Sequence, residues 1–521
     1  MKEFNVTGTC IPEKHYMVDI SNKLEQIEKL VAEGSYFTIN RPRQYGKTTT
    51  MYLLSKKLNK EDYLVLRISF EGFDKEIYKD QQLFIEEFLL TLVDKLELEE
   101  EEELIKIIEQ NLSITTNMRR LARLITKLAK EEKRKLVLMI DEVDKSSDNQ
   151  LFLDFLGMLR SKYLASNEGE DYTFHSIILA GVYDVKNLKL KLRPDDEQKY
   201  NSPWNIAVEF DVEMSFNPAE IATMLEEYQE DKNVNFNVDK IAQKIYYYSS
   251  GHPYLVSKLA KIMDEEIILE KDQKEWNLKG LELAIKRILE GESVNFESLI
   301  KNLENNKKLY ELVYKIIMEG ERITYNFYNP IINLGELYGI FKNNSGRVEV
   351  HNKIYEQAIY DYMSSKLETN LNMTTYNFRE NFITVEGYLD FKKVLKKFQL
   401  FIKEQYSDKD REFLERNGRL IFLAFIKPII NGRGFDFKEV QTSQEKRLDV
   451  VVTYLDRKYI VELKIWRGEQ YHQEGLIQLV DYLDKQSVEK GYLISFNFNQ
   501  NKEYKEEMVE KNGKEIFAIW V

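Results

Sequence analysis

One junction constrains this chain more than any other. An apolar run, SYFTIN (35–40), breaks into RPRQYGKTTT (41–50), and helical apolar spacing continues from Thr48 to Leu58. A strand that turns into a helix in this way reaches its next neighbour by a crossover, which predicts a parallel α/β sheet. Just upstream, LEQIEKLVAE (24–33) has helical spacing at Leu24, Ile27, Leu30 and Val31, with Gly34 as its C-cap. The turn itself carries chemistry. In a phosphate-binding loop, consecutive backbone N–H groups wrap the phosphates, a lysine neutralises the β/γ charge, and the next hydroxyl holds Mg²⁺. Lys47 and Thr48 supply those side chains, Gly46 the close backbone approach, and Arg43, Gln44, Tyr45 and Thr49 the rest of the lining. Arg41 stands where the pattern G-x-x-x-x-G-K-[ST] has its first glycine, and Pro42 can fix the turn instead because its φ is pre-set.

Further strands fit the same sheet: YLVLRISFEG (63–72), RKLVLMIDEVD (134–144) and HSIILAGV (175–182). A long helical region at 80–132 separates the first two. Its acidic run LELEEEEEL reads as a solvated helix face. The apolar strand over 136–140 ends in Asp141-Glu142, the Walker B order. Asp141 would hold the Mg²⁺ shell and Glu142 would polarise the attacking water. ATP with Mg²⁺ is the expected cofactor and its hydrolysis the expected reaction.

Beyond residue 215 the pattern becomes helical until GIFKNNSGRVEVHN, where Asn344-Ser345-Gly346 marks a β-hairpin. A helix, IYEQAIYDYMSSKL, and a polar linker, ETNLNMTTYN (368–377), follow. The segments NPAEI, SGHPYL and RPRQYGKTT resemble bacterial AAA-like ATPases of the STAND type, over about residues 1–370. The resemblance implies a nucleotide core at 1–215, a helical lid at 216–300 and a winged helix at 301–370. It further implies that Pro253 of Gly251-His252-Pro253 packs on the adenine and that His351 meets the β-phosphate of ADP. Each has a plainer reading: Pro253 fits the first turn of any helix, and Asn352 beside His351 is a good N-cap. No arginine finger stands out; Arg193 is only a basic residue in a polar loop.

The final block, 371–521, reads as a second α/β domain. Helices at 387–406 and 408–416 and the segment GRLIFLAFIKPII precede RLDVVVTYLD and RKYIVELKIWRG; the helix EGLIQLVDYLDKQ and the strands KGYLISFNF and EIFAIWV come after. Metal-assisted phosphodiester cleavage needs acidic oxygens around Mg²⁺ and benefits from a lysine that orients the water. Asp449 heads one strand. On the next, Glu462 and Lys464 share a face by period-2 alternation. Gln478 and Tyr482, four apart, share a helix face. This D…E-x-K…Q-x-x-x-Y order resembles the PD-(D/E)XK nuclease superfamily over about 378–521, with Leu448 where the name-giving proline would stand. The resemblance implies catalytic roles for Asp449, Glu462, Lys464 and Gln478, with Glu415 as the upstream acid and Glu412 as its rival. Asp449 and Glu462 would hold Mg²⁺ or Mn²⁺.

The fold class expected is thus α/β multidomain: a P-loop AAA-like core with helical lid and winged helix, then a restriction-endonuclease-like α/β domain. A net charge of −13 argues against a broadly basic surface but leaves room for a local phosphate track at Arg447, Lys464 and Arg467. Cys10 is the only cysteine, so no intrachain disulfide is available and a cytoplasmic setting is the simplest. No uninterrupted apolar run reaches about 18 residues, so no membrane partner is expected. The scattered His15, His175 and His472 do not make a zinc set with one cysteine. The function expected is an ATP-binding and ATP-hydrolysing switch controlling a metal-dependent DNA nuclease, in defence or genome maintenance. The alternative is a nucleotide-dependent regulatory switch with a catalytically silent nuclease-like domain. DNA is the expected partner, and a homo-oligomer is left open.

Overall fold

The structure is a computed structural model. It describes residues 2–58, 60–143, 149–181, 204–268, 276–319, 321, 323–370, 382–405, 418, 421–423, 425–426, 434–437, 450–454, 457–486, 488–499 and 503–521. The chain divides into two compact units: Met1–Asn305 with Asn326–Asn344 and Val350–Ile354, and Asn306–Tyr325 with Ser345–Glu349 and Tyr355–Val521.

The first unit opens with α1 (Ser21–Ala32), β1 (Tyr36–Asn40), α2 (Lys47–Lys57) and β2 (Tyr63–Ser69). It continues through α3 (Gln81–Leu98), α4 (Glu102–Leu112), α5 (Met118–Glu131), β3 (Lys135–Asp141), α6 (Gln150–Asn167) and β4 (Ser176–Gly181). The four strands form a parallel sheet in the order β1-β4-β3-β2. Val208 adds a parallel bridge to Phe37 on the β1 edge. β4 is buried along its whole length and β3 at all but its first residue, as strands covered on both faces must be. On one side the sheet meets Phe84, Phe88, Phe152 and Phe155 from α3 and α6. The expected helical stretch at 80–132 is three helices. Its acidic run is solvated, but it spans a turn and not a helix face: α3 ends at Leu98, Glu100 takes a left-handed φ of 60°, and α4 starts at Glu102.

Next come α7 (Pro218–Lys232), α8 (Val238–Ser249), α9 (Pro253–Ile262), α10 (Leu278–Glu290) and α11 (Val294–Glu304). Asn217 and Glu220 form a reciprocal capping box at the start of α7, which satisfies two N–H groups that would otherwise lack partners. Between α8 and α9, Gly251 has φ +71°, and a Cβ there would fall 1.9 Å from the carbonyl oxygen of Phe216. The contact is held by a 2.8 Å bond from Phe216 N to Gly251 O. α12 (Lys307–Tyr314) belongs to the second unit and α13 (Pro330–Leu337) to the first. β5 (Phe341–Asn344) and β6 (Arg347–Val350) form the two-stranded hairpin read from the sequence. Its turn residues Ser345 and Gly346 both have positive φ, 50° and 80°, matching the right-handed strand twist. α14 (Lys353–Asn370) follows.

The rest of the second unit is built on a six-stranded mixed sheet in the order β11-β12-β10-β9-β8-β7. Helix α15 (Phe391–Gln405) precedes β7 (Gly434–Phe437), β8 (Val450–Tyr454), β9 (Arg457–Ile465), α16 (Glu469–Lys485), β10 (Lys490–Phe496), β11 (Glu506–Lys511) and β12 (Lys514–Trp520). β8 and β9 are an antiparallel pair, while β9, β10 and β12 run parallel. Leu476, Leu479, Val480 and Leu483 of α16 pack on Val451, Ile460 and Leu493. Among the described residues no helix is long and apolar enough to cross a membrane.

Candidate functional site

The loop after β1 enters α2 with two left-handed residues, Gln44 (φ 59°) and Gly46 (φ 76°). At Gly46 it is the backbone angle that favours glycine and not a lack of room, since a Cβ there would meet nothing within 4 Å. Lys47 Nζ donates to the carbonyls of Arg41 and Pro42, each at 2.9 Å, so the ammonium sits over the loop's own backbone. Thr48 Oγ1 donates to Asp141 Oδ2 at 2.7 Å, and Glu142 N donates to Asp141 Oδ1 at 2.9 Å. The loop lies at the carboxyl end of β1 and Asp141 ends β3. Ligands of open α/β sheets bind at these strand ends. Thr48 and Asp141, a hydroxyl beside a carboxylate, are the hard oxygen donors that suit Mg²⁺. Glu142 takes a left-handed φ of 56°, unusual for a non-glycine residue.

The loop's irregular first position has a structural explanation. The Arg41 guanidinium turns away to the Val212 and Asn40 carbonyls, at 2.9 Å each, and lies 5.5 Å above the Phe210 ring. Thr49 Oγ1 accepts from Cys10 N at 3.0 Å, and Gln44 Oε1 accepts from Asn295 Nδ2 at 2.7 Å. Arg43 is exposed.

Tyr45 is buried beneath the loop. Its hydroxyl meets Ser215 Oγ at 2.9 Å and His351 Nε2 at 2.6 Å, and its ring stands edge-on to His252 at 4.7 Å. Burial pushes the Tyr45 phenol above its ordinary value. Burial, aided by the Lys342 charge, brings His351 down to about 4. His252 is held well below the usual imidazole range by burial and then by His351. His351 is therefore spent on Tyr45, and Pro253 is the half-buried first residue of α9. Sequence reasoning missed Ser215 and Asn295 and took His252 only as the middle of Gly251-His252-Pro253. No local signal marks the first two, because each meets the loop only through the fold.

In the second unit, Glu462 on β9 is fully buried. Lys464 Nζ lies 2.8 Å from Glu462 Oε1 and donates to Gln478 Oε1, also at 2.8 Å. The pair shares the β9 face that α16 covers, and Gly475 of α16 lies over the stem of Lys464, where a Cβ would come 3.4 Å from its Cγ. Tyr482, one turn after Gln478 on α16, packs on the apolar cluster. Asp449, Glu415 and Glu412 lie outside the described residues. Among the described residues no group of three or more His, Cys, Asp or Glu could hold a metal ion. Glu462 supplies a hard oxygen suited to Mg²⁺ or Mn²⁺, and a second carboxylate must come from elsewhere.

The model of the AAA-like domain family matches residues 11–361, and that of the PD-(D/E)XK nuclease superfamily matches residues 434–507. A Walker-type ATPase of Pyrococcus abyssi is similar over 68% of this chain and 99% of its own, at 13% identity and a TM-score of 0.46. The Aeropyrum pernix ORC2 protein, in ADPNP–ADP complexes, covers 67% of this chain and 93% of its own at 13% identity, with a TM-score of 0.38. The ORC1 protein of the same organism, in complex with DNA, covers 68% and 97% at 13% identity, with a TM-score of 0.29. No curated protein matches the chain. A phosphate loop tied to its strand-end carboxylate, inside a match that spans more than half of the sequence, makes this chain a member of the AAA-like domain family, with a PD-(D/E)XK nuclease superfamily domain at its C-terminal end.

Proposed function

We propose that the chain is an ATP-hydrolysing switch of the STAND type that controls a metal-dependent DNA nuclease carried on the same polypeptide. The observation that carries this reading is Lys464, whose ammonium meets both Glu462 and Gln478 at 2.8 Å. A charged pair on a strand face is common. A fully buried carboxylate, a lysine and a helix-borne amide converging on one point mark a built site. In this reading Glu462 and Asp449 hold Mg²⁺ or Mn²⁺, Lys464 orients the attacking water, Gln478 fixes Lys464, and Glu415 adds a further acid. Asp449 precedes Val450, whose ladder partner Val461 adjoins Glu462. The cation, when bound, polarises the scissile phosphate.

At the other site, Lys47 leaves the carbonyls of Arg41 and Pro42 for the nucleotide phosphates. Thr48 and Asp141 hold Mg²⁺, Glu142 polarises the water, Pro253 packs on the adenine, and His351 follows the phosphates through Tyr45. The proposed domains are a core at 1–215, a lid at 216–300, a winged helix at 301–370 and the nuclease at 371–521. The setting is cytoplasmic, in defence or genome maintenance. Plasmid DNA incubated with the full chain tests the reading, in Mg²⁺ or EDTA and with or without ATP. Cleavage that needs Mg²⁺, responds to ATP and disappears in Lys464→Ala is expected. Cleavage that persists in EDTA or in Lys464→Ala would sink it.

A further inference from the structure

Helix α5 presents a basic ridge that neither site uses. Leu121, Leu124, Ile125 and Leu128 face the core. On the opposite side Arg119, Arg120, Arg123, Lys127 and Lys130 are exposed. At about 100° per residue, Arg119, Arg123, Lys127 and Lys130 fall within an arc of roughly 80°. At 1.5 Å rise per residue they span about 16 Å, in steps of about 6 Å or less.

Among the described residues, Arg119, Arg123 and Lys127 have no ion-pair or hydrogen-bond partner. Arg120 donates to the Ile114 carbonyl, and Lys130 stands 4.8 Å over the ring of Tyr172, itself 53% exposed. The carboxylate of Asp171, which meets α5 at Thr126, is taken by Lys162 at 2.6 Å. Three cations without partners in a row on a chain of net charge −13 repel one another, and the one exposed carboxylate of the helix, Glu131, stands a turn beyond Lys127 and makes no ion pair with it among the described residues.

We infer that this ridge binds the phosphate backbone of duplex nucleic acid. A DNA strand carries one phosphate per roughly 3.4 Å of axis, so a 16 Å stripe faces about four or five of them, close to its own number of cations. Arginine forks match phosphate oxygens in pairs. Every exposed residue of α5 is charged, so the face lacks the apolar centre of a protein–protein interface. The competing occupant is the acidic α3–α4 turn of a second copy. Three of its carboxylates already hold cations: Glu99 with Lys60, Glu101 with Arg134 and Glu102 with Lys106. The inference deepens the functional reading above and rests on its choice of nucleic acid as substrate. It gives the ATPase core its own grip on the substrate, blind to base sequence.

The test is anisotropy of a labelled random-sequence duplex DNA titrated with the full chain in EDTA, across a salt series. The triple variant Arg119→Glu, Arg123→Glu, Lys127→Glu should weaken binding at least about a hundredfold at low salt. It should also flatten the log-affinity against log-salt slope by about three. Arg119→Lys with Arg123→Lys keeps the charges and should keep most of the affinity, and ATP binding should be unchanged in both. Undiminished DNA binding by the triple variant overturns the inference. So does loss of self-association in the triple variant with DNA affinity intact, which would assign the ridge to a second copy. If the triple variant binds normally while the parent cleaves DNA in Mg²⁺, the ridge falls and the nuclease reading stands. If ridge-dependent binding appears without any cleavage, the nuclease reading falls and the ridge stands. A parent that binds no duplex defeats both.

Discussion

Tyr45 in the phosphate loop and His351, 306 positions later, share a 2.6 Å hydrogen bond between the phenol oxygen and Nε2. Neither group carries charge at neutral pH, because burial pushes the phenol up and holds the imidazole at about 4. The bond is a neutral one between buried groups. Its weight comes from what its loss leaves behind, since Ser215 Oγ also relies on the Tyr45 hydroxyl.

Tyr45→Phe keeps the ring that packs against His252 and removes only the hydroxyl. Stability should fall by about 1–3 kcal/mol, the range for a buried group left without its partner. Denaturant unfolding of the parent and the variant measures it. Equal midpoints at equal slope would show that the hydroxyl holds nothing.

Acidification should act at the same place. His351 has a folded value of about 4 against about 6.5 when unfolded, so between these values the unfolded chain binds a proton that the folded chain does not. The stability from burying neutral His351 is fully present above about pH 6.5 and is lost as pH falls towards 4, at up to about 1.4 kcal/mol per pH unit. His252 is shifted in the same direction and adds to the slope. Unfolding at pH 7 and pH 5 checks this: the difference should shrink in His351→Gln and stay unchanged if another group is responsible.

Glu142→Gln preserves side-chain shape at a position whose φ is 56° and removes only the carboxylate charge. ATP should still bind, because Lys47, Thr48 and Asp141 are untouched. Turnover should slow by on the order of a hundredfold or more. Phosphate release paired with calorimetry separates the two effects, and hydrolysis at the parent rate would remove Glu142 as the base.

Gln478 accepts from the Lys464 ammonium at 2.8 Å, and in the proposed nuclease it acts through that lysine. Gln478→Ala should slow DNA cleavage by on the order of tenfold to a hundredfold, the scale of lost positioning. Gln478→Glu restores an acceptor and should recover most of the rate. If neither variant departs from the parent, the amide plays no part in the reaction.

Contiguous local structure was legible. Gly46-Lys47-Thr48, the strand into Asp141-Glu142, the turn at Ser345-Gly346 and the E-x-K alternation each depend on neighbours a few positions apart, where propensity and period speak directly. What failed lacks such a signal or hides it. β11, EEMVEK, is polar and mostly exposed, so no apolar alternation marks it. Its only announcement is Asn512-Gly513, a two-residue turn with φ of 51° and 75° that reveals the hairpin with β12. The acidic run looked like one helix because glutamate favours helices. The chain turns there because the apolar faces of α3 and α4 must both reach the core. The contacts of Tyr45 with Ser215 and His351 cross 170 and 306 positions, and no local pattern encodes them.

Gly251 carries a consequence for how descendants of this chain would diverge. The glycine is demanded by the backbone of Phe216, 1.9 Å from where a Cβ would stand, and by its own left-handed φ. Nothing about that demand involves a nucleotide. A lineage that had abandoned ATP and let Lys47 and Thr48 drift would still be held to glycine at 251, on pain of losing the junction between α8 and α9. Persistence of Gly-His-Pro in such a descendant would record inherited architecture, while the lysine and threonine alone would record a working site.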